Sequence, residues 1–246
     1  MIRTLVLVLA AVTLSCAVSW ADPFAEGTAA YAKGDLKTAG AAFERSIKEQ
    51  GPTAAALYNL GNVAFKSGDK GRARLMYERA LRVDPRDPDI AWNLSVLSRY
   101  LEDTVEPTPA NVFLWPLRRV AGLLSGSELR SIFGGTLALW VLAALISAVV
   151  PGSSRMLARA SILPLALCAL TGTLIAVRWT ELTAPVYVVL RPEVEARYGP
   201  SKRENKAFTL HEGAAARVVD RTEEWVYLEL PGGRLGWVPK DSGETV

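Results

Sequence analysis

The chain has 246 residues, half of them hydrophobic, with a formal charge of +3, one histidine and two cysteines. So small a cationic excess, with no dense Lys/Arg stripe, excludes an electrostatic nucleic-acid binder. Cys16 lies in the leader and Cys168 in an apolar run, so a disulfide scaffold and a Cys/His metal cluster are excluded as well.

Residues 1–21 read as a secretory signal peptide: Arg3 starts it, residues 5–12 form its apolar stretch, and Ser19-Trp20-Ala21 places small residues before a cut at Asp22. A rival reading takes Leu14-Ser15-Cys16 as a lipoprotein box that would lipidate Cys16. Thr13 stands where that box usually has leucine, which favours cleavage after Ala21.

A period of 34 residues follows. Gly27 recurs at Gly61, Gly34-Asp35 at Gly68-Asp69, Ala39 at Ala73, Phe43 at Tyr77, and Tyr58-Asn59-Leu60 at Trp92-Asn93-Leu94. Small residues at fixed offsets predict stacked helical hairpins over 22–101. Gly34 and Gly68 suit the left-handed turn that ends a helix, and Asp35, Asp69 and Asp87 suit the N-cap of the next. The set Leu57, Leu60, Gly61, Phe65, Gly68, Ala73, Tyr77, Ala80 and Pro85 resembles the tetratricopeptide repeat family. The first repeat departs from it at Ala25 and Ser46, and the third is one helix, 88–101. Two and a half repeats fall short of the usual three, so the side of the last helix bearing Trp92, Val96 and Tyr100 needs cover. Residues 111–124, apolar apart from Arg118 and Arg119, are placed either there or flat in a membrane interface.

If the stack holds a peptide, the first helix of each hairpin lines the groove. The matched positions are Thr28, Tyr31, Tyr58, Asn59, Asn62, Phe65, Lys66, Trp92, Asn93, Val96 and Arg99. The asparagines would bond an extended backbone, and Lys66 and Arg99 would receive a carboxylate. The alternative is that Tyr58 and Trp92 pack between repeats and the asparagines follow the consensus.

A linker (102–131) leads to two uncharged apolar runs, 132–150 and 160–177, each near the length that spans a bilayer. The short connection between them predicts a transmembrane hairpin. Export by the leader puts the repeats in the periplasm, and two spans return the C-terminus to that side. Arg155 and Arg159 in the connection suit a cytoplasmic loop, although Arg118, Arg119 and Arg130 precede the first span. Cys168, Gly172 and Ala176 allow close helix packing at four-residue spacing.

From residue 184 the pattern alternates with period 2, and Pro231-Gly232-Gly233 marks a hairpin turn. Short strands with Gly/Pro turns predict a small β-barrel. Ala196-Arg197-Tyr198-Gly199-Pro200-Ser201, Phe208-Thr209-Leu210-His211-Glu212-Gly213, Trp225-Val226-Tyr227-Leu228 and Gly236-Trp237-Val238-Pro239 resemble the bacterial SH3-like family over 184–246. Alanine at 196 and 216, where that family favours valine, predicts a looser core. The resemblance implies binding of peptidoglycan peptides or protein segments, with Tyr198, Trp225, Tyr227 and Trp237 as surface candidates. Aromatics in so small a barrel are more often core. His211 is expected to face solvent from a strand.

No phosphate loop, metalloprotease helix or nucleophile elbow occurs, so no catalytic, metal or cofactor site is expected. The fold class expected is multi-domain: all-α hairpins, a transmembrane helical hairpin and a small SH3-like β-barrel. That order resembles the BatE-type proteins of the bacterial aerotolerance (Bat) operon. The resemblance implies a non-enzymatic inner-membrane scaffold with von Willebrand A-domain membrane proteins and other Bat components as partners. The competing expectation is a peptidoglycan-binding module that recruits a cell-wall enzyme through its repeats.

Overall fold

A computed structural model describes residues 22–103, 115–149 and 159–246. The expected leader with Cys16, and the connection bearing Arg155, lie outside the described residues. The chain divides after Tyr100 into two compact units.

The first unit is built from α1 (Pro23–Ala32), α2 (Leu36–Gln50), α3 (Ala54–Lys66), α4 (Lys70–Val83) and α5 (Pro88–Ser98). Each helix starts at a side-chain cap. The carboxylate of Asp35 accepts the Thr38 N–H at 3.1 Å, that of Asp69 accepts the Arg72 N–H at 2.8 Å, and Asp87 accepts from Asp89 and Ile90. Asp22 and Thr53 cap α1 and α3 in the same way. Gly34 and Gly68, at φ of 80° and 85°, close the first helix of each hairpin in a conformation other residues rarely adopt.

Close helix approach depends on two other glycines. A Cβ on Gly27 would lie 2.7 Å from the Phe43 ring, and one on Gly61 would lie 2.6 Å from the Tyr77 ring. Both rings are fully buried, so each aromatic fills the space its glycine leaves. Ser46, which replaces the usual alanine, is buried too, and its hydroxyl is satisfied by Gln50 Oε1 at 3.0 Å. The departure from consensus therefore carries its own hydrogen-bond partner.

In the second unit α6 (Trp115–Leu123) and α7 (Gly126–Val149) meet at a sharp corner. There the Ser125 hydroxyl accepts the Glu128 N–H, and the Glu128 carboxylate accepts the Ser125 N–H at 2.6 Å, a reciprocal helix start. Helices α7 and α8 (Ile162–Thr183) pack on each other, with the Phe133 ring at contact distance above Gly172. Both are long and apolar enough to cross a membrane, over Gly126–Ile146 and Ile162–Thr180, and only 6% and 17% of those windows is buried. A core helix of a soluble protein would bury the leucines that here lie outside, such as Leu139 and Leu163 at 60% and 67% exposure. Helix α7 starts before the apolar run 132–150 and α8 ends after the run 160–177, so Arg130 and Arg178 lie within the helices. The described part of residues 111–124 packs on α8.

The C-terminal part is one antiparallel sheet of β1 (Val186–Val189), β2 (Glu193–Arg197), β3 (Lys206–His211), β4 (Ala215–Arg221), β5 (Trp225–Glu229), β6 (Leu235–Pro239) and β7 (Gly243–Thr245). The order is β3-β2-β6-β5-β4-β1-β7. The closed barrel that was expected does not form: β3 pairs with β2 alone and the three-residue β7 with β1 alone, leaving the ladder open between them. The sheet still wraps one core, including Tyr187, Val194, Leu210, Leu228 and Val238. Ala196 does not loosen it. A Cβ on Gly236 would lie 2.9 Å from that of Ala196 and 3.0 Å from the Phe208 ring, so β6 and Phe208 occupy the missing valine's volume.

Candidate functional site

The candidate groove positions separate into two groups. Asn62 of α3 and Asn93 of α5 hold the hairpins together. The Tyr77 hydroxyl donates to Asn62 Oδ1 at 2.7 Å, and Asn93 Nδ2 donates to the same oxygen at 2.8 Å and to the Tyr58 hydroxyl at 3.0 Å. Four side chains from α3, α4 and α5 thus form one polar bridge, and the Tyr58 and Tyr77 rings meet at 6.0 Å between centroids. Asn59 donates back to its own helix at the Ala55 carbonyl, as Thr28 does to Phe24. The asparagines that were to bond a bound backbone are used within the fold. The bridging role was missed because it depends on Tyr77, a residue of the other helix row.

Burial pushes the Tyr77 hydroxyl above the usual tyrosine range. It is therefore a donor, and the sign of the linkage follows. The unfolded chain ionises this group near pH ~10 while the fold keeps it neutral, so its contribution is complete below that pH and falls as pH rises beyond it. Tyr77→Phe is expected to flatten the alkaline loss of repeat stability between about pH 10 and 12. Urea midpoints measured across that range by far-UV circular dichroism check it. An unchanged slope would assign the loss to other groups.

The second group stays open. Trp92 is 62% exposed. Lys66 Nζ sits 4.1 Å over the Tyr31 ring, a cation–π contact that leaves its ammonium at the surface. Arg99, at the end of α5, is exposed, and neither cation has an ion pair among the described residues. Phe65 packs edge-on against Tyr100 at 5.6 Å, and Val96 is half-buried. Of the groove positions, then, one large apolar side chain and two cations stay exposed while the polar bridge is used within the fold. An open cleft of about 300 Å³ lies elsewhere, between α2 and α3, where Leu60 and Val63 are flanked by Lys37, Glu44, Asp69 and Arg72. Glu44 and Arg72 pair across it.

The four aromatics singled out on the sheet also part company. Trp225 is buried, with its N–H bonded to the Thr222 hydroxyl, and offers no surface. Tyr227 and Trp237 lie outside the core as a cross-strand stack, 4.8 Å between centroids and 23° between planes. Each thereby covers one ring face with the other, which steadies the β5–β6 pair. Tyr198 is 70% exposed.

His211 is not the free strand residue that was expected. Its N–H donates to Asp103 Oδ2 at 2.6 Å, its Nδ1 lies 3.3 Å from Oδ1 of the same carboxylate, and Glu102 approaches Nε2 at 3.5 Å. Leu101 covers Gly213, where a Cβ would meet it at 2.5 Å. Residues 101–103 are thus fastened to the β3 edge, partly protecting a strand that would otherwise expose its donors. Asp103→Ala should speed exchange of the His211 amide about tenfold, the equivalent of one charge-assisted hydrogen bond, and Asp103→Asn should restore most of the protection. Equal exchange in all three proteins would show that the carboxylate does not hold the amide.

No curated protein matches the chain. The tetratricopeptide repeat family model matches residues 24–88 and again 58–99, the residues that carry the helices, caps and glycine–aromatic contacts described above. The hairpins of residues 24–99 are therefore tetratricopeptide repeats, and that assignment covers less than half of the chain.

Proposed function

We propose that this protein is a non-enzymatic, membrane-anchored adaptor of the bacterial periplasm whose repeats hold a segment of a partner protein. The observation that carries the reading is the division of the repeat face. The Tyr58–Asn62–Tyr77–Asn93 bridge fixes the hairpins, while Trp92, Lys66 and Arg99 remain exposed beside it. An exposed tryptophan and two exposed cations among the groove positions suit a segment with an apolar side chain and a carboxylate. Helices α7 and α8 supply the anchor, and the leader supplies the side of the membrane. The C-terminal sheet is read as an SH3-like module on its motif residues, and the whole order as that of a BatE-type component of a Bat complex.

The test is site-specific photocrosslinking in cells from position 92, with position 37 on α2 as the control. Capture of a von Willebrand A-domain membrane protein from position 92 alone supports the adaptor, and equal crosslinking from both positions overturns the use of this face. A C-terminal tag accessible only from the cytoplasm would overturn the topology. A second reading gives the sheet to peptidoglycan, and the exposed Tyr198 favours it. Cosedimentation of the intact, detergent-solubilised protein with purified sacculi, lost in Tyr198→Ala, would support that reading, and no pelleting would remove it.

A further inference from the structure

Helix α6 is fixed to the apolar hairpin on one side and bare along the flank next to it. Ala121 and Leu129 are fully buried with Leu174 of α8, and Leu117, Leu124 and Ile175 pack around them. Arg178 reaches from α8 to the last turn of α6, where Nη1 donates to the Ala121 carbonyl at 3.4 Å. A cation beside a helix C-terminus is electrostatically favourable. The reciprocal cap of Ser125 and Glu128 then fixes the corner into α7. On the flank next to that packed row Val120 and Leu123 are 46% and 67% exposed. Water would penalise both, and nothing among the described residues covers them.

The neighbours set the level at which that bare side lies. The apolar exterior of α7 begins at Ile132, just past Arg130, and that of α8 ends at Val177, just before Arg178 and the 68% exposed Trp179. Arginine and tryptophan at the end of an apolar belt mark the membrane–water boundary. Arg178 touches Ala121, so α6 is held at that boundary, and its exposed valine and leucine continue the belt of the hairpin. Short amphipathic helices in such a position lie in the interface with the apolar side in the headgroup–acyl zone.

We infer that α6 is an interfacial helix whose Val120 and Leu123 enter the lipid of the leaflet where α7 begins and α8 ends. The partner is the bilayer itself, and α6 acts as a brace that holds the start of α7 at a fixed depth. The inference rests on the reading of α7 and α8 as membrane spans.

The test uses the full chain with Cys16→Ser and Cys168→Ser, reconstituted in phosphatidylethanolamine–phosphatidylglycerol vesicles. Nitroxide labels are placed singly at Val120→Cys, Leu123→Cys, Leu142→Cys of α7 and Val83→Cys of α4. Relaxation by oxygen and by a water-soluble nickel chelate is then compared. Labels at 120 and 123 are expected to favour oxygen several-fold over the label at 83, though less than the label at 142. Labels at 120 and 123 that match position 83 while 142 stays in lipid would overturn the brace and leave the anchor intact. Water-like behaviour at 142 as well would overturn the anchor and the brace together.

Discussion

Gly61→Val is expected to destabilise the repeats by about 3 kcal/mol, at the upper end of what overpacking a core costs. A Cβ at this position falls 2.6–2.7 Å from two ring atoms of Tyr77, and the ring cannot withdraw. It is 1% exposed, and its hydroxyl is tied to Asn62. Any shift that admits the valine must therefore part α3 from α4 or break the polar bridge to α5. Gly27→Val should act in the same direction through Phe43, but a shift of that ring breaks no hydrogen bond. Gly40→Ala is the control. Its Cβ would meet only Val63, at 3.4 Å, and an alanine inside α2 gains up to about 1 kcal/mol of helix propensity. Urea unfolding of the detergent-solubilised chain, followed at a helical circular dichroism band, should order the variants Gly61→Val below Gly27→Val below Gly40→Ala. Equal midpoints for Gly61→Val and Gly40→Ala would mean that the hairpin is looser than its contacts imply.

What could be read from the sequence divides by the range of the interaction. Asp35, Asp69 and Asp87 announced their helices because a cap needs only a residue two or three positions on. The 34-residue period announced the hairpins because Gly61 and Tyr77 recur with Gly27 and Phe43 at one offset. The polar bridge escaped because Asn93 and Asn62 are 31 residues apart and have meaning only together with Tyr77. The clamp on His211 escaped more completely: its partner Asp103 is 108 residues earlier, and no periodicity relates the two. Alternation with period 2 revealed strands without revealing their order, so the open ladder from β3 to β7 was not legible. Trp225 ranked with its neighbours as a surface candidate for the same reason, and it is the core alternative for such aromatics that applies to it. Residues 111–124 left two places open because their apolar side fits either, and only the cluster with Leu174 and Arg178 ties α6 to α8.

Reversing both cations of the repeat face, Lys66→Glu with Arg99→Glu, is expected to weaken partner capture at least 100-fold at low salt. The cations are exposed, so each alone contributes modestly: an exposed pair is worth about 1 kcal/mol or less. A bound carboxylate changes the environment by excluding water, and a hydrogen bond to a charged group then reaches about 1.5–3 kcal/mol. Reversal also replaces attraction by repulsion, so the two sites together exceed about 3 kcal/mol, which is more than 100-fold. The fold should respond little, because Lys66 makes an exposed cation–π contact with Tyr31 and neither cation has an ion pair among the described residues. Unchanged urea midpoints would establish that. Three further results separate the charge from the anchor. Lys66→Arg should retain binding, Lys37→Glu on α2 should leave it unaltered, and Trp92→Ala should weaken it by a factor that does not depend on salt. The loss caused by the double reversal should shrink as salt rises toward 1 M, where screening acts within about 3 Å. Capture that survives the double reversal but fails in Trp92→Ala would mean that the partner is held by apolar burial alone and brings no carboxylate to this face.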